Sequence, residues 1–200
     1  ASAVFGAGSD LTITHDGTDT AIQNNTGDLY INSTGGSADD IIIKSQDDIY
    51  IMPQNGQYGV SVLGAGAVEL YHNNSKKLET TIGGVSLTGG AAANITSVTQ
   101  SSGTVTFDFA LSCHHKVTLT QNVTELAAPS NQAVGQSGSI FITQPSSGNY
   151  TVAYNAAWFF TGGTTPTLST SSGATDRIDY IVLESNKIHC VVSLDVKTGT

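Results

Sequence analysis

The sequence predicts an all-β protein in which a repetitive shaft precedes a compact head. A short strand motif recurs through residues 9–89, longer alternating segments follow residue 103, and no segment of helical period is long enough to predict a helix. Only 12 % of the residues are charged, while 22 glycines and many Ser, Thr and Asn residues supply turns. This composition is typical of many short strands joined by tight turns.

The repeated motif is a turn residue followed by two aliphatic residues that flank a single residue. Successive strand side chains point to opposite faces, so this spacing indicates a strand. Each copy directs about two aliphatic side chains inward, which is too few to close a core in one chain. We therefore expect the shaft to bury its apolar edge against copies of itself, as a homotrimer. The eight copies occupy residues 10–13, 28–31, 40–43, 48–51, 59–62, 67–70, 77–80 and 84–87.

Uneven intervals between the copies argue against a strict solenoid. They favour a trimeric β-prism or interleaved β-helix, in which loops of varied length lie outside a continuous stack. The Ala triplet at 91–93 predicts the boundary between a shaft at 1–93 and a head at 94–200.

The head is predicted to be a C-terminal antiparallel β-sandwich with Pro- and Gly-bearing loops. A hairpin turn is expected at 184–187, and one helical turn is possible at 126–129. The predicted strands are 104–111, 115–120, 139–143, 150–155, 177–184 and 187–196.

Charge and hydropathy exclude several classes of partner. The formal charge is -9, and the 7 basic residues do not cluster, so no positive stripe is available for nucleic acid or an anionic membrane. No apolar run is long enough for a transmembrane helix or resembles a signal peptide, and we expect no membrane insertion. The chain begins at Ala1 without an initiator Met, which indicates a processed product or a fragment.

Two groups of phrases carry a resemblance to known proteins. They are 8–17, 66–80 and 84–89 in the shaft, and 116–122 and 135–138 in the head, with Ile140, Trp158, Gly162, Gly163, Pro166 and Asp176. The shaft phrases are similar to a repeat common in tail fibre proteins of marine and freshwater phages, and the head resembles a domain that ends many phage fibre and tail proteins. The resemblance implies a homotrimeric fibre on an extracellular virion, attached to other tail proteins, with a host-facing head. It carries over no binding residue.

Reactive side chains are present, but their patterns do not favour catalysis. The acidic pairs at 16/19, 39/40 and 47/48 lie in or beside turns, where carboxylates bond to nearby backbone amides. A zinc site at 113–115 and 189–190 is disfavoured, because strand parity divides these Cys and His side chains between two faces. Cys113 and Cys190 are both expected to face a core, as two free thiols rather than a bridge, which remains open if their strands are neighbours. We expect no enzyme activity, cofactor or metal.

The binding candidates are aromatic and hydroxyl side chains on one part of the head. Aromatic rings stack on the apolar faces of sugars, and a Ser/Thr-rich loop can bond to glycan hydroxyls. A core position is the favoured alternative for the tryptophan, although at least one ring of the aromatic run should face outward. The candidates are Trp158, Phe159, Phe160, Thr164 and Thr165.

These patterns predict a phage fibre that adheres to a host surface glycan or outer-membrane protein. The alternatives are a purely structural fibre or decoration protein, a polysaccharide depolymerase tailspike, and a secreted bacterial adhesin. Three weak sites presented together would gain strength through avidity, so no deep pocket is needed.

Overall fold

The computed structural model describes residues 2–36, 39–54 and 56–199, and the chain divides into two compact units, Ala1–Gly89 and Gly90–Thr200. Both are built from β-strands, and the predicted all-β class is confirmed. Within the described ranges, no helix is long and apolar enough to cross a membrane.

The N-terminal unit contains two antiparallel sheets in which neighbouring strands follow one another along the chain. Hairpins of this kind need residues that accept positive φ, and Asn73 and Asn74 (φ 49° and 58°) make the two-residue turn between the longest pair. The first sheet contains β1 (Ser2–Phe5), β2 (Leu11–His15) and β3 (Thr20–Asn24). The second contains β4 (Ile49–Ile51), β5 (Val60–Val62), β6 (Val68–His72), β7 (Ser75–Thr81) and β8 (Gly84–Leu87).

Most copies of the repeated motif form the strands that their spacing predicts. Two copies do not: residues 28–31 and 40–43 belong to no strand. The other six copies lie in β2, β4, β5, β6, β7 and β8.

The C-terminal unit contains a six-stranded and a three-stranded sheet. The order in the larger sheet is β15-β17-β16-β13-β11-β9, and in the smaller it is β10-β12-β14. A short 3-10 turn, Thr161–Gly163, follows β15. The strands are β9 (Ile95–Val98), β10 (Thr104–Val105), β11 (His114–Thr118), β12 (Val123–Leu126), β13 (Ser137–Thr143), β14 (Val152–Tyr154), β15 (Trp158–Phe159), β16 (Thr175–Glu184) and β17 (Lys187–Ser193).

The predicted antiparallel pairing of this unit is wrong for most of its strands. Only β13, β16 and β17 pair antiparallel, whereas β9, β11 and β13 run parallel, as do β10, β12 and β14 and the pair β15–β17. From β9 to β15 the chain alternates between the two sheets, so each return to a sheet is parallel to the previous strand. The chain from β9 to β15 thus makes three turns, each of which passes through both sheets, and we call this arrangement the coil. The hairpin β16–β17 completes it. Short alternating strands fit either pairing, because parallel strands need only a long enough crossover.

Two local expectations also differ. The strand predicted at 104–111 ends at Val105, although Phe107 and Phe109 beyond it are buried in the core. No helical turn forms at 126–129. The hairpin turn at 184–187 is confirmed, with Glu184 paired to Lys187.

A single buried cluster holds the two sheets of the C-terminal unit together. Two buried glutamines also fasten its loops: Gln144 bonds to the backbone of Tyr150 and Ser169, and Gln100 bonds to the backbone of 120–122. Both sheets contribute to the cluster, which includes Val105, Phe107, Val117, Leu119, Val123, Leu126, Ile140, Ile142, Trp158, Ile178, Tyr180, Val182 and Ile188.

Candidate functional sites

The five-stranded sheet of the N-terminal unit has one aliphatic face. The strand register places Ile49 opposite Val62 and Val62 opposite Val68, and it aligns Ile51, Val60, Leu70, Leu78 and Leu87 across all five strands. We call these eight side chains the aliphatic face. None of them is buried, and Ile51 remains 59 % exposed.

The same arrangement recurs in the first sheet, where Phe5 pairs with Leu11 and Ile13 lies between Ala3 and Ile22. Phe5 and Ile22 are both more than half exposed. Among the described residues of Ala1–Gly89, the only buried side chain is that of Ser61. The described residues of this unit therefore form two apolar faces whose side chains are left unburied.

The opposite face of the five-stranded sheet carries aromatic and charged side chains that contact one another. The rings of Tyr50, Tyr58 and Tyr71 lie in a row, with centroids 5.3 and 5.5 Å apart. The hydroxyl of Tyr71 donates to Glu69, and Lys76 forms ion pairs with Glu69 and Glu79. The charged and phenolic groups of this face pair with one another, which suits the face to contact with water.

Tyrosine hydroxyls set the ionisation behaviour of this polar face. The Tyr50 hydroxyl donates to Asp48 over 2.6 Å, and this bond holds the pKa of Asp48 below its usual value and raises the pKa of Tyr50 to about 12. The bond from Tyr71, followed by that from Lys76, likewise lowers the pKa of Glu69. These shifts favour ionised carboxylates at Asp48 and Glu69 and neutral phenols at Tyr50 and Tyr71 near neutral pH.

Among the acidic pairs, Asp16 acts as the turn residue that the sequence predicts, whereas the Asp48 carboxylate accepts from the Tyr50 hydroxyl and from the distant amide of Gly64. The Asp16 carboxylate accepts hydrogen bonds from the backbone amides of Thr18 and Asp19, each over 2.8 Å. These amides lower the pKa of Asp16. The carboxylate is thus occupied by its own turn.

The C-terminal unit carries an open groove of about 550 Å³ on the outer face of its larger sheet. It forms where the two-residue strand β15 ends beside β17, which leaves the edge of β17 beyond His189 without a neighbouring strand. A smaller recess of about 220 Å³ adjoins it and is lined by Thr164 and Pro166 among others. The groove is lined by Phe159, Phe160, Thr161, Asp179, Tyr180, Ile181, His189, Cys190 and Val191.

The groove combines apolar and polar groups. Phe159 stacks on the imidazole of His189, with centroids 5.8 Å apart, and Val191 is 67 % exposed beside them. Both oxygens of Asp179 are engaged: Arg177 donates to one over 2.7 and 2.9 Å, and the hydroxyl of Ser139 donates to the other over 2.6 Å. An oriented carboxylate thus lies next to an aromatic wall.

The five predicted binding residues occupy different environments. Trp158 is 5 % exposed, and its indole nitrogen donates to the carbonyl of Leu126 over 2.9 Å, so it belongs to the core and is withdrawn from the candidate surface. Phe159 is 41 % exposed in the groove, and Phe160 is half-buried against Tyr154. Thr164 and Thr165 are exposed, and Thr164 lines the adjoining recess.

Sequence reasoning did not include the groove residues from β16 and β17. Asp179, Ile181, His189 and Val191 occupy alternate positions of these two strands, opposite the buried Tyr180 and Cys190. Strand parity identifies them as outward-facing. It does not show that the end of β15 leaves a groove over them.

Cysteine and histidine side chains do not converge in the described part of the chain. No group of three or more His, Cys, Asp or Glu residues there is arranged to hold a metal ion. Both cysteines are free, and burial raises the pKa of the Cys190 thiol to about 12. At neutral pH this thiol is protonated and unreactive.

Comparison with protein families, with curated proteins and with solved structures found no match to this chain.

Proposed function

We propose that this protein is a homotrimeric fibre of a bacteriophage virion, in which the N-terminal unit forms the shaft and the C-terminal unit adheres to the host surface. The observation that carries the proposal is the aliphatic face, none of whose eight side chains is buried. The polar side chains on the other face of the same sheet pair with one another. This supports an orientation in which the aliphatic face lies toward partner chains.

The magnitude of the uncovered surface favours association along the whole shaft. Complete burial of a Val, Leu or Ile side chain stabilises a structure by about 1.5–3 kcal/mol. Eight partly exposed side chains therefore offer roughly 6–12 kcal/mol per chain. Association itself costs about 4–15 kcal/mol, so one such face gives marginal stability. Both sheets of each chain must contribute to a stable fibre.

The oligomeric mass of the intact protein tests this proposal. We expect a trimer by sedimentation equilibrium at micromolar concentration. Leu87→Asp should dissociate it, because the new carboxylate would be buried in the apolar core of the shaft. Ser86→Asp is the matched control, since Ser86 is the neighbouring residue on the opposite face. A wild-type protein that remains monomeric and folded would contradict the proposal.

The head groove supports the adhesive part of the function. Its exposed ring, hydroxyl and carboxylate are the groups that bind sugars by stacking and hydrogen bonding. Phe159→Ala should weaken binding to host envelope polysaccharide about tenfold, measured by surface binding of the trimer, because it removes the aromatic wall. Val134→Ala, which truncates a more exposed apolar side chain outside the groove lining (72 % against 41 % for Phe159), should leave binding unchanged. Equal binding by both variants would favour a fibre whose recognition lies in another chain.

A further inference from the structure

We propose that residues 28–31 and 40–43 become strands only in the assembled protein, where their backbones pair with a second copy of this chain. The inference rests on the proposed self-assembly and adds to it the segments that exchange hydrogen bonds between copies. It concerns the backbone rather than the aliphatic face described above.

Sequence equivalence is the first observation. Residues 28–31 read Asp-Leu-Tyr-Ile, and residues 48–51 read Asp-Ile-Tyr-Ile. The second of these phrases forms β4 and pairs antiparallel with β5. The first belongs to no strand. The same local strand preference thus leads to a paired strand at 48–51 and to an unpaired segment at 28–31.

Local geometry shows that the unpaired copy is already arranged like the paired one. The Tyr30 hydroxyl donates to Asp28 over 3.2 Å, as the Tyr50 hydroxyl donates to Asp48 over 2.6 Å. A bond between side chains two residues apart requires both to point to the same side, which is the arrangement of an extended strand. The segment at 28–31 therefore already has the extended arrangement that strand pairing requires.

Both segments expose large apolar side chains. Tyr30 is 74 % exposed and Ile42 is 81 % exposed, whereas Ile49 of β4 is half-buried. Three successive isoleucines at 41–43 have strong strand preference and place aliphatic groups on both faces. Such a segment is stable only where both of its faces and its backbone find partners.

The chain does not use its own nearest edge for this purpose. A three-residue loop at 25–27 separates β3 from 28–31, a length that often closes a hairpin. Instead, Asn24 bonds through its amide to the carbonyls of Thr26 and Gly27, and 28–31 does not return to β3. Among the described residues, the outer edges of β1, β3, β4 and β8 have no paired strand.

Each copy therefore carries open edges together with segments that could fill them. The two sheets offer four outer edges, at β1, β3, β4 and β8, against two unpaired segments, so exchange between identical chains can place both segments without a further component. A second copy of this chain therefore supplies an edge for each segment.

Hydrogen exchange on the intact protein tests the inference directly. Amides at 28–31 and 40–43 should be protected to within about tenfold of those in β4, because inter-chain ladder bonds shield them. The exposed Thr165 provides the unprotected reference, whereas the amide of its neighbour Thr164 donates to the carbonyl of Thr161. Exchange at the rate of Thr165 in a protein of trimeric mass would overturn this inference and leave the proposed function standing. A monomeric mass would overturn the proposed function itself.

Proline substitution provides an independent measurement. Ile41→Pro and Ile42→Pro each remove one backbone donor, and successive donors of a strand point to opposite edges. At least one of the two should raise the dissociation constant of the assembly more than about tenfold. Ala92→Pro, outside the motif, is the control. Trp158 fluorescence verifies that the head is folded in each variant, and trimers of wild-type stability in both variants would contradict the proposed pairing.

Discussion

At the scale of residues, Trp158 and Phe159 show that neighbouring positions on one strand can place similar side chains in opposite environments. They are neighbours on β15, yet the first is a core side chain with a bonded indole and the second forms a wall of the groove. The sequence predicted that one ring of the aromatic run would face outward, because strand side chains alternate. It favoured a core position for Trp158, but alternation alone could not assign the direction, since it fixes only that neighbours are opposed.

His115 is the buried side chain with the clearest response to pH. Its ring lies between Phe107 and Phe109, at centroid distances of 5.3 and 5.6 Å, and Nε2 contacts the carbonyl of Ser112 over 2.9 Å. Its Nδ1 has no hydrogen-bond partner among the described residues. Burial lowers the pKa of His115, and the Ser112 carbonyl and then Asp108 oppose this shift.

We predict that the C-terminal unit becomes less stable as the pH falls below about 6.5. A lowered pKa means that the unfolded chain takes up the proton first, so this stabilisation is present above that pH and is lost below it. Chemical denaturation followed by Trp158 fluorescence measures the effect. His115→Gln should flatten the pH dependence, whereas His189→Gln, at an exposed imidazole, should retain it. An unchanged slope in His115→Gln would contradict the assignment.

At the scale of elements, the close approach of β13 to the segment before β11 depends on Gly138. A Cβ at this position would lie 1.6 Å from the carbonyl oxygen of Cys113 and 2.9 Å from the hydroxyl of Tyr180. That hydroxyl donates to the same carbonyl over 3.0 Å, and the Tyr180 ring stacks on Phe109 at 4.4 Å. The glycine therefore makes room for a bond that joins two parts of the fold.

Gly138→Ala should destabilise the C-terminal unit by more than about 3 kcal/mol, because the backbone carbonyl it meets cannot rotate away. Gly90→Ala is the control, since a Cβ there meets nothing within 4 Å. Denaturant midpoints of the two variants decide the matter. A difference of less than about 1 kcal/mol between them would show that the strand shifts freely.

Element types were more predictable from the sequence than element pairing. The motif located six of its eight strands correctly, since an aliphatic period of two depends only on neighbouring residues. It failed at 28–31 and 40–43, because periodicity reports strand preference and not the presence of a pairing edge. For the same reason, the coil of β9 to β15 was interpreted as antiparallel. The groove was only partly predictable, because it depends on where β15 ends.

At the scale of the whole molecule, charge is concentrated in the N-terminal unit. Residues 1–89 contain ten acidic and three basic side chains. Copies packed side by side along a shaft would repel one another through these charges, and added salt shortens the range of that repulsion from about 10 Å at 0.1 M to about 3 Å at 1 M.

We therefore predict that sodium chloride strengthens assembly. The dissociation constant should fall at least about fivefold between low and high salt, measured by sedimentation equilibrium. Salt also strengthens apolar association, so the charge term is isolated with Asp39→Asn and Asp40→Asn combined. This variant should assemble more tightly at low salt and respond less to added salt. A response identical to that of the wild type would mean that apolar burial alone governs the effect.

The two units also differ in what they need from other molecules while they form. The C-terminal unit holds a continuous cluster of buried side chains and can collapse as soon as its chain is complete, in a concentration-independent step. In the described residues of Ala1–Gly89, no apolar side chain is buried, so in the proposed trimer their ordering would depend on collisions between chains. In that trimer, dilution should slow the assembly of the N-terminal unit without delaying the folding of the C-terminal unit. C-terminal units that fold first and associate in threes would raise the local concentration of the attached N-terminal units. Pairing between the three chains would then proceed from the C-terminal units.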